Sequence, residues 1–131
     1  MNKKWLIDTD IIIDLLRGIP EAINFMKSVM GSTECFITPI TIAELYGGVR
    51  EGREQVILDQ FITEFQVTLF DLKIAQKGGI YRRDFGKSHS VGLADALIAA
   101  SAESYGLTLA TLNKKHYPML KTVHIPYRKL S

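Results

Sequence analysis

The stretch Trp5-Leu6-Ile7-Asp8-Thr9-Asp10 constrains this chain more than any other. An apolar run ends on a carboxylate and passes, with no spacer, into a second apolar pattern, Ile11 to Leu16, that repeats as a helix does. Strand and helix fused in this way read as a buried parallel strand that delivers Asp8 to a sheet edge. Ligands of open α/β sheets bind in the crevice beyond the carboxyl ends of the strands, so an acid there is placed to act. Asp8 also has a plainer use. Asp is common at the first turn of a helix, where it caps free N–H groups and meets the positive end of the dipole.

The rest of the chain repeats the alternation. The first strand covers Lys4–Ile7 and the first helix Thr9 to Arg17, closed by Gly18 with Pro20 beyond. A second helix is expected over Pro20–Met30, with Pro at its first position and Gly31 after its last. Cys35-Phe36-Ile37 is a strand, after which Thr38 caps and Pro39 opens a third helix running through Val49. Gly52 breaks it. A fourth helix follows over Glu54–Glu64, then a strand over Val67–Phe70, a mixed-charge helix over Lys73–Phe85 and an apolar helix over Ser90–Tyr105. Leu107–Thr111 is a strand, Asn113–Tyr117 a polar segment, and a last short strand falls near Val123-His124-Ile125. Gly86–Gly92 reads as the loosest region. Strands alternating with helices predict a mostly parallel sheet of four or five strands covered on both faces.

At 131 residues the chain fits one domain spanning 1–131, long enough for a real core. Sixteen Lys and Arg against 14 Asp and Glu leave a formal charge of +2, which neither supports nor excludes a nucleic-acid partner. Cys35 is the single cysteine and cannot form an internal disulfide. With no signal-peptide pattern at the N-terminus, a reducing cytoplasm is the expected compartment. No apolar run approaches the ~18 residues of a membrane span, and neither a repeat nor a low-complexity segment is visible.

Two further acids stand in apolar settings. Glu44 shares a helix flank with Gly47 and Gly48, and since each glycine costs a helix interior ~0.8–1 kcal/mol, clearing space beside a carboxylate would explain the pair. A surface glutamate on a helix ending at Gly47 is the bland alternative. Asp95 lies in Val91-Gly-Leu-Ala-Asp-Ala-Leu-Ile-Ala-Ala-Ser-Ala, a helix apolar most of the way round, with Ala99 and Ala102 continuing its stripe. A buried carboxylate is costly unless protonated, paired or bound to a metal. Pairing to an arginine or capping backbone would be its structural use.

Thr111, Asn113 and His116 bring oxygen and nitrogen donors to the same sheet edge, although a histidine in such a segment is more often a surface residue. Asp10 is left undecided, and Asp14, one helical turn on and followed by Arg17, reads as a solvated helix charge. Converging carboxylates repel one another unless a cation sits among them, and hard oxygen ligands point to Mg²⁺ or Mn²⁺. One or two such ions can activate water and stabilise the leaving oxygen of a phosphodiester.

Leu6-Ile-Asp8-Thr9, Thr41-Ile-Ala-Glu44-Leu, Ala94-Asp95-Ala-Leu-Ile-Ala-Ala and Leu109-Ala-Thr111-Leu-Asn113 together resemble the PIN-domain ribonucleases, and among them the VapC-type toxins of toxin–antitoxin pairs. Each motif alone is weak; four in this order and spacing are fairly specific. The resemblance covers nearly the whole chain and implies a three-layer α/β/α sandwich, Mg²⁺-dependent endonuclease activity on RNA, a homodimer, and a cognate antitoxin. Asp8, Glu44 and Asp95 match three family acids. Where the family often carries a fourth acid this chain has His116, which puts a second metal in doubt. Candidates for binding RNA phosphates are Lys73, Lys77, Arg82, Arg83 and Lys87, with Lys114 and Lys115 nearer the acids, while a solvated helix face is the more ordinary role for each. Tyr81 and Phe85 fit either a core or a base-stacking role.

Three other readings compete. Asp8-Thr9-Asp10 before apolar residues resembles the start of haloacid-dehalogenase-type phosphatases, with Asp8 as nucleophile. A receiver-like signalling domain would place its phosphate-accepting acid at Phe70-Asp71, leaving Glu44 and Asp95 unexplained. A PIN-like domain that binds RNA without cutting it is the third.

Overall fold

The computed structural model describes residues 3–30 and 34–128. The Gly31 expected to stop the second helix lies outside them. Among the described residues four strands, β1 (Lys4–Ile7), β2 (Glu34–Ile37), β3 (Gln66–Val67) and β4 (Thr108–Ala110), form one all-parallel sheet in the order β3-β2-β1-β4. The helices between them are α1 (Thr9–Leu16), α2 (Pro20–Met30), α3 (Pro39–Gly48), α4 (Arg53–Phe61), α5 (Leu72–His89) and α6 (Leu93–Tyr105).

Strand β1 shows why the sheet needs two covers. Successive side chains of a strand point to opposite faces. Trp5 and Ile7 enter a core with Ile11 and Ile12 of α1, Met26 of α2, Leu45 of α3 and Leu58 of α4. Leu6 enters a second core with Ile98, Ala99 and Ala102 of α6 and Leu109 of β4. Leu6, Ile7, Ile11 and Ile12 are fully buried. Each such side chain contributes roughly 1.5–3 kcal/mol, so both cores depend directly on the opening stretch. The result is the three-layer α/β/α sandwich. Outside it, α5 lies against α6 at Gly78, where an added Cβ would stand 2.5 Å from Leu97 Cδ2. None of the described helices is long and apolar enough to cross a membrane.

The strand order locates a crevice. From β1 the chain steps outward through β2 to β3, then returns to place β4 on the other side of β1. The reversal falls between β1 and β4, and in such sheets ligands bind at that point, beyond the strand ends. Asp8 follows β1 there, its N–H donating to Ala110 O at 2.9 Å, and Thr111 follows β4.

Several boundaries depart from expectation. The apolar run Val67–Phe70 pairs only at Gln66–Val67, with Thr68 N reaching Ile37 O; Leu69 and Phe70 leave the edge and lie exposed. No strand forms at Val123–Ile125. His124 makes one parallel bridge to Ala110 with two backbone hydrogen bonds, and Pro126, without an N–H, lies just beyond. The sheet therefore has four strands. Gly86–Gly92 is not loose either: α5 continues to His89, carried past Gly86 by the ring contacts Tyr81–Phe85 and Phe85–His89 at four-residue spacing, and ends at Ser90 in the left-handed region with φ +53°. Helix α6 accordingly begins at Leu93 rather than Ser90.

Candidate active site

Asp8 caps its helix as expected with one oxygen and is held by side chains on the other. Its Oδ1 accepts from Thr9 N at 2.8 Å and caps α1. Its Oδ2 accepts from Thr111 Oγ1 and from the Tyr117 hydroxyl, each at 2.7 Å. The side chain is buried, and burial pushes the carboxyl above its ordinary value against the pull of these three hydrogen bonds, with Asp95 adding repulsion. Here the cost of desolvating the anion exceeds what the donors return.

Asp95 enters from the first turn of α6, next to the same phenol. Its Oδ1 lies 3.3 Å from the Tyr117 hydroxyl and its Oδ2 3.1 Å from His116 Nδ1. Burial raises this carboxyl too; His116 and Tyr117 oppose the rise, and the charge of Glu44 adds to it. His116 sits on a 3-10 turn, Lys114–His116, with Asn113 Nδ2 3.0 Å from its Nδ1. Asn113 is itself held by its N–H donating to Thr111 Oγ1 at 3.1 Å. His116 thus faces an acid while 39% of its side chain stays exposed.

Glu44 is joined from the other side. Thr9, next to Asp8, donates its hydroxyl to Glu44 Oε1 at 2.7 Å and lies 3.0 Å from Thr41 Oγ1. Thr41 is fixed because Thr38 Oγ1 caps α3 by accepting from Thr41 N at 3.0 Å. The spacing Thr38, Thr41, Glu44 places all three on one helix flank. The space at Gly47 and Gly48 is open, since an added Cβ at either meets nothing within 4 Å, so no neighbour within this chain requires glycine there. Gly48 borders a cavity of about 490 Å³ that is also lined by Glu44, Leu45, Ile13, Leu16 and Leu58, among others.

The remaining acids of α1 have structural uses. Asp10 Oδ2 accepts from Leu112 N at 3.0 Å, tying the start of α1 to the segment after β4. Asp14 is not solvated; it is 1% exposed and accepts from the Tyr127 hydroxyl at 2.9 Å. The signal was present, since Asp14 lies three residues beyond the buried Ile11 and so on the core-facing side. Tyr117 and Thr9 join the site without a signal in the sequence, since nothing local distinguishes them from core residues.

Of the basic candidates, Lys114 and Lys115 are exposed on the turn that carries His116. Lys77 is engaged elsewhere, paired to Glu103 at 3.4 Å on the α5–α6 seam, where the Tyr81 hydroxyl also meets Glu103. Arg83 pairs with Asp84, while Arg82, Lys73 and Lys87 lie exposed along α5.

Among the described residues no three His, Cys, Asp or Glu side chains stand close enough to enclose an ion as they are. The donor set still fits a small hard cation. The fold brings Asp95 within electrostatic reach of both Asp8 and Glu44, the two aspartates are raised as acids, and among the described residues neither Lys nor Arg pairs with any of the three. Carboxylates with hydroxyls beside them, and with only His116 as a basic partner, are the oxygen donors that a hard divalent ion takes.

Asp71, the acid of the receiver-like reading, caps α5 by accepting from Ile74 N at 2.9 Å. In the phosphatase-like reading Asp10 would be the proton donor, and its two oxygens accept from the backbone amides of Ile11 and Leu112.

Comparison with known proteins agrees with the geometry. Residues 5–119 match the PIN domain. The chain is 34% identical over 123 residues to "Ribonuclease VapC10" of Mycobacterium tuberculosis, covering 93% of this chain and 92% of that protein. It is 36% identical over 124 residues to "Ribonuclease VapC19" of the same organism, covering 93% and 98%. A solved "Toxin-antitoxin complex from Klebsiella pneumoniae" superposes with a TM-score of 0.82 at 26% identity, covering 96% of this chain and 100% of that one. The carboxylates at the β1–β4 crevice, the all-parallel sheet and these matches agree: the chain belongs to the PIN-domain family, among its VapC-type ribonucleases.

Proposed function

We propose that this chain is a divalent-metal-dependent endoribonuclease, the toxin of a toxin–antitoxin pair, that hydrolyses RNA phosphodiester bonds. The observation that carries the reading is the joining of Asp8 and Asp95, far apart in sequence, by one buried phenol, with Glu44 bound to the residue after Asp8.

Asp8, Asp95 and Glu44 would hold Mg²⁺ or Mn²⁺. Such an ion, when bound, lowers the pKa of a water and offsets charge on the phosphoryl and leaving oxygens. The chain's own residues do the remaining work. Thr111 and Tyr117 fix Asp8, His116 orients Asp95, and Thr9 steers Glu44 toward the crevice. Lys114 and Lys115, exposed beside the acids, draw the RNA backbone in, and Arg82, Arg83 and Lys87 extend the basic track along α5. Attack of water on phosphorus with departure of the 3′-oxygen leaves a 5′-phosphate and a 3′-hydroxyl. A cognate antitoxin, a homodimeric state and a cytoplasmic setting complete the reading; the solved Klebsiella complex of the same fold supports the antitoxin partner.

Expressing the chain alone, scoring growth arrest and mapping RNA 5′ ends against an Asp8→Ala variant tests the proposal. Arrest with new 5′-phosphate ends that vanish in the variant is expected. In purified form EDTA should stop cleavage, with Mg²⁺ or Mn²⁺ restoring it. Cleavage that survives EDTA, or ends identical in Asp8→Ala, would overturn it. An RNA-binding domain without turnover would show binding with no new ends.

A further inference from the structure

We infer that Tyr117, acting with Thr111, is a positioning residue that sets which ion the site accepts, by leaving Asp8 a single oxygen for a metal. The inference rests on the proposed divalent-ion site and adds its selectivity.

Packing alone does not explain the tyrosine. Its ring is 2% exposed in the core with Leu6, Ile98 and Leu109, where a phenylalanine would pack the same way. Its backbone is fixed on both sides, with Tyr117 N donating to Lys114 O at 3.0 Å and Leu120 N to Tyr117 O at 3.1 Å. The hydroxyl is therefore carried by a rigid mount. A buried phenol that lost its partner would bear the desolvation cost alone, so the bond to Asp8 persists.

Lone pairs then decide what Asp8 can offer. A carboxylate oxygen accepts about two hydrogen bonds. Oδ2 of Asp8 already takes two, from Thr111 and Tyr117, both at 2.7 Å. Oδ1 takes one, from Thr9 N, and keeps a lone pair. Asp95 is less constrained, since Oδ2 takes one contact, from His116 Nδ1 at 3.1 Å, and Oδ1 only the longer 3.3 Å contact to Tyr117, so both its oxygens keep a lone pair. Asp8 alone is held to one oxygen. Mg²⁺, and Mn²⁺ with it, is content with one or two carboxylate oxygens and several waters, whereas Ca²⁺ takes six to eight oxygens and gains from bidentate carboxylates. Filling Oδ2 denies Ca²⁺ that second contact.

Calorimetric titration of the full chain with Mn²⁺ alone and with Ca²⁺ alone, for wild type, Tyr117→Phe and Thr111→Val, tests this. Wild type should bind Mn²⁺ more tightly than Ca²⁺. Loss of a hydrogen bond that orients a ligand typically weakens metal binding about 10–100-fold, so Mn²⁺ affinity should fall by about tenfold or more in Tyr117→Phe. Ca²⁺ affinity should hold or rise as Oδ2 is freed, so the Mn²⁺-to-Ca²⁺ ratio drops at least as far, and Thr111→Val should move it the same way. Melting of the metal-free variants reads any packing effect separately; should Tyr117→Phe fail to fold, Thr111→Val decides. An unchanged ratio in the folded variants overturns the inference and leaves the nuclease reading intact. Wild type that binds neither ion overturns both.

Discussion

Replacing Asp95 with Asn tests the gathering of charge at the crevice through stability, independently of cleavage. The change keeps the size of the side chain and one of the two oxygens that face Tyr117 and His116, and removes one negative charge. In the ion-free protein burial and the charge of Glu44 hold the Asp95 carboxyl above its ordinary value, so at neutral pH ionising it works against folding. Because the side chain is 27% exposed and faces His116, solvent screening and the lost contact trim the gain to roughly 0.5–1 kcal/mol. The variant should then melt about 2–5 °C above wild type in EDTA. Mn²⁺ at about 100 times its dissociation constant stabilises a protein that binds it by about 2.7 kcal/mol. Wild type should take up that gain and the variant little of it, so their order inverts on adding the ion. Scanning calorimetry in EDTA and in Mn²⁺, paired with an RNA-cleavage assay, reads both halves. An Asn variant destabilised by more than about 1 kcal/mol in EDTA, equal gains from Mn²⁺ in both proteins, or retained cleavage would refute the reasoning.

Asp8 and Asp95 are both raised, so the folded protein holds their protons more tightly than the unfolded chain does; this part of the stability is fullest below 3.8 and is lost as pH rises through the raised values. Melts of the metal-free protein from about pH 4 to pH 7 should show that fall, and Asp8→Asn should flatten it. Gly78→Ala would drive a Cβ to 3.1 Å from Leu97 Cα, and urea melts should show a loss of about 1–3 kcal/mol with unchanged cleavage per folded molecule. Gly48→Ala meets nothing within 4 Å and should instead gain up to about 1 kcal/mol in the same assay. Tyr127→Phe removes a donor from the buried Asp14 and should cost about 1–3 kcal/mol, with Km for RNA unchanged.

How much of this was legible follows from the distance over which each signal acts. Asp8 and Asp95 stand out because a carboxylate in an apolar run violates the local pattern, and the violation is visible within a few residues. Elements announced by local chemistry, such as α3 behind its Thr38 cap and Pro39, appear where expected. Strand ends do not, because Val67–Phe70 and Val123–Ile125 carry the right residues but pair over only one or two of them. Tyr117 is the deeper case. By every local measure it is a core aromatic, and it is one; only when β4 is laid beside β1, and the following turn folds back, does its hydroxyl meet Asp8. Thr9 likewise looks like the first residue of a helix until α3 brings Glu44 to it. The acids follow a rule of residue type, while the groups that aim them follow the topology. A sequence therefore discloses candidate ligands more readily than the hydroxyls that decide which of their oxygens stay free.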